Sequence, residues 1–144
     1  MDQVILAQKF ESLRRCIQRV EEKTPSSVEQ LIEDPDVQDI LVLNLTRAVQ
    51  LCVDIGSHVI SESDELAPAT MGEVFSTLQT MGAITPATCE SMQKAVGFRN
   101  VAVHNYDVIN WEIVFAICQK SLADFRRFAK EISAYSVRSL AERH

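Results

Sequence analysis

From Asp36 to Ile60 the chain reads DVQDILVLNLTRAVQLCVDIGSHVI. Val37, Leu41, Leu45, Ala48, Cys52, Ile55 and Val59 recur every three or four residues, the period of one helix face. A strand would need alternation by twos, and none is present. Asp36 follows the EDP turn and is placed to cap the start. The stretch predicts a helix of about 25 residues, too long to hold its apolar face alone. The rest of the sequence must supply helices to cover it.

Outward from this segment the same period returns. Leu6, Phe10, Leu13, Ile17 and Val20 form one stripe, with Lys9, Arg14, Gln18 and Glu21 outside it, and Pro25 in TPSS ends the run. After a Ser/Glu/Asp-rich loop, Thr70 and Glu73 make a capping box ahead of Val74, Phe75, Leu78 and Met81, a short third helix. Thr85 before Pro86 starts a fourth, with Cys89, Met92, Ala95 and Val96 as its face. Asp107 or Asn110 can cap a last helix carrying Trp111, Val114, Cys118, Leu122, Phe125, Ala129 and Ile132. These elements predict an all-α, antiparallel four-helix bundle with a short additional helix, as a single domain over residues 1–144. The tail from about 134 to 144 loses the period and is expected to fray or to be ordered only by a partner.

Composition narrows the function. The 144 residues are 47% hydrophobic and 24% charged, which suits a packed core. A net charge of −6 argues against a broad grip on nucleic-acid phosphates, so any such contact must be local. Cysteines at 16, 52, 89 and 118 show no CxxC or Cys/His clustering, so they read as buried free thiols and no metal is expected. The N-terminus lacks a signal-peptide pattern, and no apolar window approaches the roughly 20 residues that span a bilayer. A soluble, cytoplasmic protein without a membrane partner is expected.

The stretch FRNVAVHNYD, Phe98 to Asp107, places polar chemistry in an apolar setting. On a continuous helix Arg99 and His104 would lie about 140° apart, too far to share a face. If the fourth helix ends near His104, then His104 and Tyr106 fall in extended chain at a junction open to solvent. Histidine exchanges protons near neutral pH, and arginine offers a fork of donors matched to phosphate oxygens. Cleaving RNA through its own 2′-hydroxyl needs a base, an acid and positive charge at the phosphorus, but no metal. One chain supplies one such histidine, and a twofold dimer would bring two together.

Arg99, Asn100, the next three residues, His104, Asn105 and Tyr106 match the Arg, polar, three residues, His, any, Tyr pattern of HEPN-domain ribonucleases. The chain most closely resembles the HepT-like toxins, a likeness that extends to the bundle, to the CVDIGSHVI segment and to the motif's place before the last long helix. The resemblance implies a homodimer whose composite cleft cuts RNA without metal or cofactor, with Arg99 and His104 catalytic and Asn100 orienting them. It also implies a nucleotidyltransferase antitoxin that uses ATP to place AMP on Tyr106 and so block the cleft. Asn105 departs from the glycine that many members carry before the tyrosine, which puts the turn and the reach of Tyr106 in question.

Other polar residues read more plainly. Asp54 and His58 are four apart, but two possible ligands make no metal site. With Asn44 and Arg47 they suggest a polar face or dimer contact, in which Asp54 would line the cleft and support the motif. Arg126, Arg127 and Lys130 read as a solvated face. Two competing functions remain: a noncatalytic dimer that binds a nucleotidyltransferase, and a histidine phosphotransfer bundle, which needs its histidine exposed in mid-helix.

Overall fold

The computed structural model describes residues 3–142. Seven α-helices are present among them: α1 Gln3–Lys23, α2 Val28–Ile32, α3 Pro35–Ser61, α4 Met71–Thr80, α5 Pro86–His104, α6 Trp111–Lys120 and α7 Leu122–Glu142, with a 3-10 turn at Tyr106–Val108. No strand occurs among the described residues. The long helices α1, α3, α5 and α7 form the bundle. Helix α3 runs through it, packed against α1, α4, α5 and α7, while α2 lies against α6.

Local chemistry sets the boundaries. Asp34, rather than Asp36, caps α3 by accepting from the Val37 amide at 3.2 Å, and Pro35 opens the helix. Thr70 accepts from the Glu73 amide, and the Glu73 carboxylate returns to the Ala69 amide at 2.9 Å. Thr85 caps α5 ahead of Pro86. Ser27 caps α2, a helix too short for its period to stand out in the sequence.

The expected last helix is two. α6 ends at Lys120, and the Ser121 amide still bonds the Ile117 carbonyl at 2.8 Å before α7 begins. Val114 and Cys118 are the buried residues of α6, which meets α2, whereas Leu122, Phe125, Phe128 and Ile132 are those of α7, which meets α3 and α5. The break lets one run of sequence serve two surfaces. Beyond Ser133, where an irregular tail was expected, α7 continues to Glu142, with Tyr135 packed on the core and Arg138 stacked 5.8 Å over its ring. Arg143 and His144 lie outside the described residues.

Helix α3 also corrects the expectation about membranes. It is long and apolar enough to cross a bilayer by length and composition. Half of its most apolar stretch is buried inside the bundle, so its apolarity serves the core. Gly56 permits the closest approach: a Cβ there would stand 2.6 Å from Val74 and 2.8 Å from Leu78.

Phe75 of α4 and Phe128 of α7 meet edge to face, with centroids 5.6 Å apart, and both are fully buried. Phe128→Ala is expected to lower stability by about 3–5 kcal/mol, read from the urea midpoint, because the neighbouring helices cannot close the void.

The four cysteines are free and buried. Burial pushes the Cys52 thiol well up, which keeps it protonated and unreactive.

Candidate active site at the end of helix 5

His104 is the last residue of α5, and the chain leaves the helix at Asn105. The Asn105 amide closes the helix by bonding the Val101 carbonyl at 2.8 Å. Its backbone has φ −151°, outside the left-handed region, so the departure from glycine at Asn105 meets no need for glycine's conformational freedom. Tyr106 then enters a 3-10 turn rather than extended chain, closed by Val108 and Ile109 amides bonding the Asn105 and Tyr106 carbonyls, both at 3.1 Å. Asn110, not Asp107, caps α6, accepting from Glu112 and Ile113 amides at 2.9 and 3.3 Å. Asn110→Ala is expected to cost about 1 kcal/mol in denaturant unfolding, by freeing two amides beside the motif.

Arg99 sits one turn and a half before His104 on the same helix, half-buried. Its Nη1 donates to Asn100 Oδ1 at 3.3 Å, and no carboxylate pairs with it among the described residues. The guanidinium is therefore steered but not neutralised, and it remains available to an anion. His104 is exposed and, among the described residues, not bonded to Arg99. Within one chain the motif thus presents separate groups at a helix end.

Tyr106 is held more firmly. Its hydroxyl donates to Asp39 Oδ1 of α3 at 2.6 Å, and its ring meets Trp111 edge-on at 6.0 Å. The side chain remains 38% exposed. Burial, followed by the hydrogen bond and the charge of Asp39, pushes the phenol up to about 12. The folded chain holds this proton more tightly than the unfolded one, whose phenol titrates near 10. The stabilising contribution is thus complete below about pH 10 and is lost as pH rises toward 12. In near-ultraviolet titration Asp39→Ala should bring Tyr106 back toward the ordinary tyrosine value.

Nothing in the sequence around Asp39 marks it out. It lies 67 residues from its partner, on the polar flank of α3, with no local motif around it. Asp54 lies roughly 22 Å further along the same helix. It bonds Gln50 at 3.0 Å and pairs with Lys9 at 3.6 Å, at a groove of about 640 Å³ between α1 and α3 that Arg15, Arg19 and Arg47 also line. His58 pairs with Glu62 at 3.2 Å, not with Asp54.

Among the basic residues of α7, Arg126 pairs with Glu21 at 2.6 Å. Arg127, read as solvated, instead joins a polar cluster: it donates to buried Thr88 at 2.8 Å and to Ser91 at 3.1 Å, while Glu131 accepts from Thr88 at 2.9 Å. It fastens α7 to α5.

Beside the motif an apolar cavity of about 640 Å³ opens between α3, α5 and α6, lined by Phe98, Val101, Val108, Ile109 and Ile113 among others. Val101, Val108 and Ile113 are 40%, 60% and 55% exposed. So much apolar surface around polar side chains is the composition of a contact face.

Residues 13–132 match the family model described as Ribonuclease HepT-like. The chain is 32% identical over 130 residues to the mRNA nuclease HepT of Shewanella oneidensis, covering 90% of this chain and 97% of that one. It is 23% identical over 137 residues to the tRNA nuclease HepT of Aphanizomenon flos-aquae, covering 95% and 93%. Among solved structures it is similar to a tri-AMPylated Shewanella oneidensis HEPN toxin in complex with an MNT antitoxin. That match has a TM-score of 0.86 and 32% identity, over 93% of this chain and 99% of that one.

Proposed function

The chain belongs to the HepT-like ribonuclease family, and on that premise we propose that it is a toxin that cuts RNA as a homodimer without a metal ion. The observation that carries the reading is Arg99, held by Asn100 and unpaired with any acid among the described residues, on the helix that ends at exposed His104. A second copy on the apolar face around Val101 and Val108 would set two such pairs across one cleft. One imidazole then takes the proton of the 2′-hydroxyl, the other protonates the leaving 5′-oxygen, and the guanidiniums stabilise the charge on the phosphorane. Asn100 orients Arg99. Asp54 is tied to Lys9 and Gln50 at the groove between α1 and α3, and neither partner belongs to the motif, so within one chain it is given no part in the cleft.

The control partner is a nucleotidyltransferase antitoxin that moves AMP from ATP to Tyr106. The tri-AMPylated toxin bound to an MNT antitoxin supports this, since that toxin shares the fold and 32% of its residues with this chain. The working place is the cytoplasm, where RNA and ATP are both at hand. The two relatives' names point to different RNAs, so the substrate class is RNA and no narrower. A phosphotransfer role is disfavoured by the position of His104 at the helix end.

Purified protein should degrade RNA in excess EDTA; cleavage that stops with EDTA and returns with a divalent ion would overturn the metal-free mechanism. Val101→Glu should leave a folded monomer that has lost cleavage, checked by light scattering and an RNA assay together. An active monomer would contradict the shared cleft.

A further inference from the structure

Tyr106 is a poor nucleophile while it keeps its proton, and transfer of a nucleotidyl group to it requires somewhere for that proton to go. Among the described residues the structure provides one acceptor at the reacting atom. Asp39 Oδ1 stands 2.6 Å from the phenol oxygen, within the short range of a hydroxyl bonded to a carboxylate. No cation pairs with Asp39 among the described residues, so its charge is not spent on an ion pair. Its side chain is exposed, so a proton taken there can pass on to water. Trp111, edge-on to the phenol ring at 6.0 Å, limits the ring's freedom to leave this contact. Burial and Asp39 together keep the phenol protonated at neutral pH, so spontaneous phenolate supplies almost none of the nucleophile.

We propose that Asp39 is the proton acceptor that activates Tyr106 for its own modification. The inference rests on the reading that Tyr106 is the residue adenylylated. The phenol oxygen forms a bond to the α-phosphorus of ATP as the bond from that phosphorus to the β-phosphate bridge breaks. Pyrophosphate leaves, and the phenol proton moves to the Asp39 carboxylate. The toxin thus contributes a catalytic group to the reaction that silences it, from a helix outside the ribonuclease motif.

The test compares initial rates of adduct formation by intact mass, with the chain's own nucleotidyltransferase partner and ATP, for wild type, Asp39→Asn and Asp39→Ala. Asparagine keeps an oxygen that can accept the phenol hydrogen bond but cannot hold the proton, so it separates basicity from placement. Both variants should be slowed about a hundredfold, the scale of a lost general base. Circular dichroism should show both folded, as expected for an exposed residue. An asparagine variant at the wild-type rate would overturn the proposal, whether or not alanine is slow. Absence of any adduct on the wild type would instead overturn the reading of Tyr106 itself.

Discussion

His104→Ala should remove RNA cleavage, lowering the rate by about a hundredfold to ten-thousandfold, while the purified protein stays folded and dimeric. The side chain is exposed at the end of α5, so its removal leaves no void and breaks no described hydrogen bond. A stability effect is therefore small, and any loss belongs to chemistry. Alanine cannot exchange the proton of a 2′-hydroxyl or of a leaving oxygen. Arg99→Ala should fall by a comparable factor through loss of charge on the phosphorane, and Arg99→Lys should recover little, because an ammonium lacks the forked geometry. A His104→Ala protein that still cuts RNA would move catalysis to other side chains. It would favour the noncatalytic reading only if wild type also failed to cut.

With the nucleotidyltransferase and ATP, intact mass should rise in steps of about 329 Da, the mass of an AMP unit, and RNA cleavage should fall with the first step. Tyr106→Phe should show no adduct and should resist silencing. The phenol oxygen is the one polar atom of the Tyr106 ring, it is partly exposed, and it lies two residues after His104. A phosphodiester there adds bulk and negative charge where an RNA phosphate must approach, so it excludes substrate by sterics and repulsion. The same adduct on the phenylalanine variant would place the modification elsewhere.

Helix periods, proline positions and capping residues are local signals, and the parts of the molecule that depend on them were legible. The long α3, the Thr70 and Thr85 caps and the end of α5 at His104 follow from residues within a few positions of one another. Even the error at α3 was a local choice, since Pro35 at the first helical position selects Asp34 over Asp36 as the cap. What the sequence could not display is contact between distant segments. Asp39 looks like any polar residue of a helix flank until folding sets it against Tyr106. Arg127 looks solvated until Thr88 and Glu131 arrive beside it. The break at Ser121 has no proline or glycine to announce it; it reflects two packing surfaces that meet only in the folded bundle.

The central claim is that one cleft uses a histidine from each of two chains, and it is tested most directly by a mixed dimer. Wild-type and His104→Ala chains with different affinity tags are unfolded, refolded together and purified through both tags in turn. The RNA cleavage rate of the mixed species is then measured in EDTA. If acid and base come from the two copies of His104, the mixed dimer falls about a hundredfold or more below wild type, close to the double variant. A mixed dimer with half the wild-type rate would mean that each chain carries a complete site, and the shared-cleft account would be wrong.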